Sequence, residues 1–137
     1  MRGDEPPAGM GSLAQAMDRG MVFSDQCPSR DVLRHVTSRW GALTLLALLG
    51  GTQRFSDLRR RIKGISEKML AETLQAQEAD GFVQRFAHPV VPPHVDYALT
   101  PMGREIAQRV EGMTDWIEGN LPRILAAQAE HKAARRR

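Results

Sequence analysis

The chain has 137 residues, 42% of them hydrophobic, and a formal net charge of +3; this length is enough for one domain with a buried core. There is no apolar run of the ~18 residues that span a bilayer and no basic-then-apolar leader of the kind that directs secretion, and a single cysteine excludes an intramolecular disulfide framework. We therefore expect a cytoplasmic protein that is not associated with a membrane.

The N-terminal part of the chain predicts a tail followed by helices. Residues 1–11 are rich in glycine and proline and are expected to be disordered, and a short helix is expected to begin at residue 12. A long helix is predicted over residues 31–49, where apolar side chains recur on one face and Gly50-Gly51 ends the pattern. That face consists of Leu33, Val36, Trp40, Leu43 and Ala47.

A short basic helix is predicted next, with Ser56 as its N-cap and Gly64 in a left-handed conformation after its end. Its apolar face consists of Phe55, Leu58 and Ile62. Residues 59–61, all arginines, point away from that face. Ile65 is expected to be buried in the turn that follows.

A second helix is predicted from Glu67 to about Asp80, capped by Ser66 and ended by Gly81. Its inner face contains Leu70 and Leu74, and its outer face contains Lys68, Ala71, Glu72 and Gln75. Small and hydrogen-bonding side chains suit entry into a DNA major groove, although an ordinary solvated face is the alternative. Gln77 occupies an inner position where an apolar residue is expected.

Two strands follow, over residues 82–86 and 95–99, with Val95, Tyr97 and Leu99 on one side of the second. The segment between them contains Pro89, Pro92 and Pro93, so it predicts a rigid exposed loop. The basic side chains of this ribbon are Arg85, His88 and His94. A hairpin that only covers the core is the alternative.

A long helix then begins at Thr100-Pro101, and Pro122 is expected to kink or restart it. Its apolar stripe includes Ile106, Val110, Met113, Ile117 and Leu121. We expect a second copy of the chain to cover this stripe in a helix-on-helix dimer, the alternative being packing against its own domain. Residues 131–137 are expected to be a basic tail whose run from Lys132 to Arg137 is frayed and solvated, the alternative being contact with DNA phosphates.

Charge and element order together predict a DNA-binding fold. Residues 54–68 contain six basic and two acidic residues, a local balance of +4 against +3 for the whole chain, as phosphate neutralisation requires. A basic helix, a second helix and a β-ribbon in this order predict a winged helix-turn-helix over residues 12–130, mainly α with a small β-wing and with dimerisation helices at both ends. A winged-helix module that binds only proteins is the rival interpretation.

The predicted contacts with duplex DNA fall into two groups. The side chains expected to face bases or their flanking phosphates are Ser66, Lys68, Glu72 and Gln75. Those expected to position the phosphate backbone are Arg54, Ser56, Arg60, Arg85 and His94.

The chain also resembles the HxlR-type transcriptional regulators, winged-helix proteins related to the MarR type, from about residue 27 to residue 104. The matching pieces are Cys27-Pro28, Arg39-Trp40, residues 54–59, Gly64-Ile65-Ser66, Met69-Leu70, Leu74, residues 78–81, residues 91–93, residues 96–100 and Gly103. The resemblance implies a homodimeric DNA-binding regulator, often a repressor of a divergently transcribed neighbour. The two-fold symmetry of such a dimer would match a palindromic operator. Two positions depart from the family pattern: Gln77, where Leu is usual, and His94, where Arg is common.

Cys27 is the candidate sensor. It precedes a helix expected to start near Arg30, and a helix N-terminus with Arg30 and Arg34 in reach would favour a thiolate. The resemblance implies that a cysteine at this position can sense oxidants or quinone-like electrophiles. The alternatives are a small packed residue without a redox role, and a regulator that responds to a small ligand instead.

Catalytic and metal motifs are not found in the sequence. There is no glycine-rich phosphate loop and no G-x-S-x-G motif. Cys27, His35, His88 and His94 are the conceivable zinc ligands, but we interpret them as lacking C-x₂₋₄-C or H-x₃₋₅-H spacing with partners nearby. We therefore expect no enzyme activity, no cofactor and no metal site.

Overall fold

The computed structural model describes residues 23–137, so the expected tail over residues 1–11 and the short helix from residue 12 lie outside the described residues. Within the described range the chain is mainly helical with one small antiparallel sheet, as the sequence predicted. The elements in chain order are α1 (Pro28–Thr37), α2 (Arg39–Leu48), β1 (Gln53–Arg54), α3 (Phe55–Arg61), α4 (Glu67–Ala79), β2 (Val83–His88), β3 (His94–Leu99), α5 (Pro101–Gly119) and α6 (Leu121–Arg135).

The prediction of one helix over residues 31–49 is wrong, because the chain turns at Ser38 and forms α1 and α2. Ser38 has φ −64° and ψ 155°, outside the helical region, and its hydroxyl accepts a hydrogen bond from the Gly41 amide at 3.2 Å. The two helices are so close that a Cβ on Gly41 would lie 2.0 Å from the carbonyl oxygen of His35. The predicted apolar face is therefore divided into buried Val36 and Ala47, half-buried Trp40, and exposed Leu33 and Leu43.

Helix α3 begins one residue before its predicted cap. Arg54 precedes the first helical residue and Ser56 lies inside the first turn, so the prediction that Ser56 caps this helix is wrong. The reason is the short strand β1, which pairs Gln53 and Arg54 with β3 and keeps the chain extended up to the helix. Gly64 has the predicted left-handed conformation, with φ +92°. The core contains the predicted inward residues Leu58, Ile62 and Ile65.

Helix α4 has almost the limits that the sequence predicted. The Ser66 hydroxyl accepts a hydrogen bond from the Met69 amide at 3.1 Å and so satisfies a donor at the start of the helix. Leu70 and Leu74 are buried against the other helices, and Gln77 is fully buried beside them.

The sheet has the strand order β1-β3-β2, with both pairings antiparallel. In β3, Val95, Tyr97 and Leu99 face the helices on the predicted side, with Tyr97 buried and the other two packed against the core. Because side chains alternate across a strand, the register fixes a second, outer face. The outer face contains Arg54, Phe86, His88, His94 and Asp96.

Helix α5 starts at the predicted Thr100-Pro101 cap, where the Thr100 hydroxyl accepts a hydrogen bond from the Gly103 amide at 2.9 Å. Its first half packs on its own domain: Val110 is 3% exposed and Ile106 packs against the core. Val110 is thus a core residue of one chain, and the prediction that it lies in a subunit interface is wrong.

Helix α6 restarts at Leu121 with Pro122 in its first turn, as expected. It continues to Arg135, so residues 132–135 of the expected frayed tail are helical. None of its side chains is buried. No helix in residues 23–137 is both long and apolar enough to cross a membrane.

Candidate nucleic-acid interface

The outer face of α4 is a polar, exposed surface. Lys68, Glu72 and Gln75 follow one another at i, i+4 and i+7, and each is exposed, as is Ser66 at the cap. This spacing places them on one side of the helix, away from the buried leucines. Lys68 Nζ lies 4.0 Å from Glu72 Oε2, a weak contact between two exposed side chains. Both therefore remain free to hydrogen-bond to another molecule.

A basic patch, formed by Arg54, Arg59, Arg60, Arg61 and Lys63, lies beside this face, and all five side chains are exposed. Arg60 pairs with Asp57 within α3, and Arg59 Nη1 lies 3.7 Å from Glu67 Oε2 at the start of α4. Between the two helices is a cleft of about 340 Å³ whose lining includes Ser56, Arg59, Arg60 and Lys63. Within residues 23–137, the ion pairs leave Arg54, Arg61 and Lys63 without a carboxylate partner.

The two predicted contacts on the β-ribbon do not share a face. Arg85 is paired with Tyr97 and starts on the side of the sheet that faces the core, whereas His94 is paired with His88 on the outer face. Arg54 is paired with Asp96 and shares the outer face with His94. The structure therefore groups His94 with Arg54 and places Arg85 on the opposite side.

The outer face of the ribbon also contains a cluster that the sequence analysis missed, formed by His88, His94 and Asp96. The imidazole rings of His88 and His94 stack with centroids 4.6 Å apart, and His88 Nε2 lies 3.1 Å from Asp96 Oδ2. The two histidines are separated by five residues, which is within the H-x₃₋₅-H spacing, so the judgement that no such pair exists was wrong. Their pairing across a five-residue loop was the available signal.

Cys27 is the N-cap residue of α1, which starts at Pro28 and not near Arg30. The hydrogen bond between Cys27 Sγ and Ser29 Oγ, 2.9 Å long, is the main cause that lowers the pKa of the thiol. The backbone amides of Ser29 and Arg30 also lower this pKa, whereas burial of the thiol raises it. The guanidiniums predicted to help point elsewhere, since Arg30 donates to the Phe23 carbonyl and Arg34 lies near Asp31. Cys27 as a residue is only 4% exposed.

Helix α1 is joined to the end of α4 by partly buried polar contacts. His35 Nδ1 lies 2.6 Å from Asp80 Oδ2, at the residue that ends α4. Gln77 Nε2 donates to the carbonyl oxygens of Gly41, at 3.0 Å, and His35, at 3.3 Å. The amide oxygen of Gln77 is buried without a partner among the described residues. These contacts join the helix that Cys27 caps to the helix that carries Lys68.

An exposed apolar surface runs along the second half of α5 and the start of α6. It contains the predicted Met113, Ile117 and Leu121, together with Trp116 and Leu125. Trp116 is 59% exposed and was not identified from the sequence. Large apolar side chains grouped at the surface are typical of an interface with another protein.

Comparisons with known proteins agree with this arrangement. The model of HxlR-like helix-turn-helix proteins matches residues 35–125. The HTH-type transcriptional regulator YtfH of Escherichia coli (strain K12) is 60% identical over 122 residues, which cover 89% of this chain and 97% of YtfH.

Solved structures give the same result. A putative transcriptional regulator ytfH from Salmonella typhimurium has a TM-score of 0.76 and 60% identity, covering 79% of this chain and 96% of that one. The redox regulator HypR in its reduced form has a TM-score of 0.66 and 32% identity, covering 73% and 99%. The chain belongs to the HxlR-like helix-turn-helix family of transcriptional regulators.

Proposed function

We propose that this protein is a cytoplasmic homodimer that binds a palindromic operator in duplex DNA and acts as a repressor. The observation that carries the proposal is the exposed outer face of α4, with Lys68, Glu72 and Gln75 in line, next to the basic patch. A helix face of this kind can reach base edges while flanking arginines neutralise phosphates. The family consists of transcriptional regulators, which are not enzymes.

The geometry supports two kinds of DNA contact, one made by α4 in the major groove and one made by the basic patch with the phosphate backbone. Ser66, Lys68, Glu72 and Gln75 lie where α4 would enter a major groove, and Arg54, Ser56 and Arg60 lie at the basic patch and its cleft. His94 and Arg85 lie on opposite faces of the ribbon. When the ribbon contacts DNA, one of the two residues is therefore closer to the phosphate backbone than the other. A mobility shift on random-sequence duplex, repeated at rising salt, separates this function from a protein-binding module, because phosphate contacts weaken steeply with salt.

Lys68→Ala should weaken binding to a selected operator by about 1–3 kcal/mol, and it should weaken binding to non-specific duplex by less. Arg60→Ala should weaken both alike and flatten the dependence of log K on log[salt] by about one unit. The measurement is fluorescence anisotropy with operator and scrambled duplexes, after selection of the operator from a random pool.

Arg109→Ala is the matched control, because this exposed arginine lies on α5, where it donates to the Glu105 carbonyl. It removes the same charge away from the basic patch and should change neither affinity nor salt dependence. If Lys68→Ala and Arg60→Ala lower the two affinities by the same factors, α4 does not read bases.

We further propose that Cys27 makes DNA binding responsive to oxidants or electrophiles. Three observations support this: the lowered pKa of the thiol, its place at the start of α1, and the contacts of His35 and Gln77 that join α1 to α4. The similarity to HypR, which is described as a redox regulator, is in line with it. A small ligand that acts without thiol chemistry is the alternative.

Diamide should lower operator affinity of the wild type and leave Cys27→Ser unaffected. The reagent accepts two electrons and two protons as two thiols form a disulfide, and because each chain has one cysteine, the second thiol belongs to another chain or to a small thiol. Anisotropy gives the affinity, and non-reducing electrophoresis with mass spectrometry identifies the product.

Ser29→Ala tests the tuning of the thiol. Without the Ser29 hydroxyl, the pKa of Cys27 should rise, so that less thiolate is present at neutral pH and the reaction with diamide slows. The pH at which alkylation by iodoacetamide reaches half its maximal rate should move upward.

The outcome that contradicts the role of Cys27 comes from the diamide experiment: equal responses of operator affinity in wild type and Cys27→Ser would exclude Cys27 from regulation.

A further inference from the structure

The cluster of His88, His94 and Asp96 has the arrangement of a metal site. The two histidines are directly paired across the ribbon, and Asp96 follows His94 by two positions, so all three side chains leave the same face. One potential ligand atom from each residue lies within 4.8 Å of the others. The pairing of two rigid strands holds these positions, which a loop of the same composition would not do.

The distances are close to those that a bound ion requires. With metal–nitrogen and metal–oxygen bonds of about 2.1 Å, two ligands of a tetrahedral site lie roughly 3.4 Å apart. The His88–Asp96 pair already meets this separation at 3.1 Å. The stacked imidazoles, 4.6 Å apart between centroids, need only rotate about their side-chain torsions to direct a nitrogen at the same point.

We propose that this cluster binds one divalent transition-metal ion of the zinc, nickel or copper class, with His88, His94 and Asp96 as its ligands. Two imidazoles and one carboxylate favour these ions over magnesium and calcium, which prefer oxygen ligands only. The ion replaces the His88–Asp96 hydrogen bond, and a fourth position stays open to water or another oxygen donor.

Metal binding would also change the charge of the ribbon, a consequence that rests on the proposed DNA binding. With neutral imidazoles the cluster has one negative charge, from Asp96, and the ion converts this into one positive charge. In the pairing of β1 with β3, Arg54 lies directly opposite Asp96 on the same outer face. The bound ion therefore removes a carboxylate charge that would repel phosphates beside a predicted phosphate contact, and we expect it to tighten DNA binding.

The site is tested by isothermal titration calorimetry of tag-free, reduced protein with Zn²⁺, and by Co²⁺ titration followed by visible absorption. Wild type should bind one ion per chain. His88→Ala and His94→Ala should each weaken binding at least about tenfold, because even residues that only support a ligand contribute that much. Both positions are at the surface, and circular dichroism checks that the variants fold.

Two control variants exclude other ligands. His131→Ala removes an exposed histidine on α6, and Cys27→Ser removes the thiol; both should keep wild-type affinity and stoichiometry. Unchanged binding in His88→Ala and His94→Ala, or loss of binding in Cys27→Ser, would overturn the site. Anisotropy with and without Zn²⁺ then tests the consequence: an ion that binds at the cluster without changing DNA affinity would overturn only the effect on the ribbon.

Discussion

Gly103→Ala should destabilise the fold by about 3 kcal/mol, at the upper end of the range for overpacking a core. An added Cβ would lie 1.8 Å from the carbonyl oxygen of Phe82 and 2.7 Å from its carbonyl carbon. Backbone cannot yield as a flexible side chain can, so α5 would have to move. The start of α5 is also held against residues 81 and 82 by Thr100. Its amide donates to the Phe82 carbonyl at 3.0 Å, and its hydroxyl donates to the Gly81 carbonyl.

The measurement is thermal and urea unfolding at equal chain concentration, where a loss of this size should lower Tm by roughly 10 °C. Gly112→Ala is the matched control, because Gly112 lies in the same helix and an added Cβ meets nothing within 4 Å. Alanine is favoured over glycine inside a helix by about 1 kcal/mol, so this control should be stabilised. Equal effects at the two positions would show that the contact with Phe82 is not the cause.

The helix limits between residues 66 and 101 could be predicted from the sequence because the signals that set them are local. Ser66 before an apolar repeat, Gly81 after it and Thr100-Pro101 are caps and stops whose chemistry depends on a few adjacent residues. Each is found in the structure at the place expected. Gly103 lies just beyond these residues, but only the structure shows that it contacts Phe82.

The errors occurred where a tertiary contact decides the local conformation. The break at Ser38 interrupts a continuous apolar pattern, and the two helices meet through the close approach of Gly41 to His35, which no local signal reveals. Ser56 has the chemistry of an N-cap, but the pairing of β1 with β3 moves the helix start forward. Val110 matches an interface stripe, yet Val110 and Ile106 in that stripe pack on the chain's own core.

Cross-strand neighbours were missed for a related reason. The grouping of His88, His94 and Asp96 depends on strand register, which the loop length only constrains. Gln77 is polar at an inner position, and the hydrogen bonds of its Nε2 to the corner between α1 and α2 satisfy the amide nitrogen, whereas its Oε1 has no partner among the described residues.

Ile117→Glu should dissociate the proposed dimer. Ile117 is 42% exposed and lies among the large apolar side chains of α5 and α6, and α6 buries none of its own residues. Full burial of an exposed isoleucine contributes about 1.5–3 kcal/mol, and a dimer would bury only the part of Ile117 that one chain leaves exposed, which accounts for somewhat under half of that. Two-fold symmetry counts each substitution twice, so the loss of apolar burial is roughly 2 kcal/mol, or about thirtyfold in the dissociation constant of the dimer. Burial of the new carboxylate adds to this loss.

Sedimentation velocity over a range of concentrations measures the effect. Gln108→Glu is the matched control: it introduces a carboxylate at an exposed position of the same helix, nine residues away and so on the opposite side of an α-helix, and it should remain dimeric. A monomeric Ile117→Glu should also lose operator affinity while keeping weak non-specific binding, because a palindrome needs both subunits. A variant that stays dimeric would contradict the assignment and move the interface toward residues 12–36.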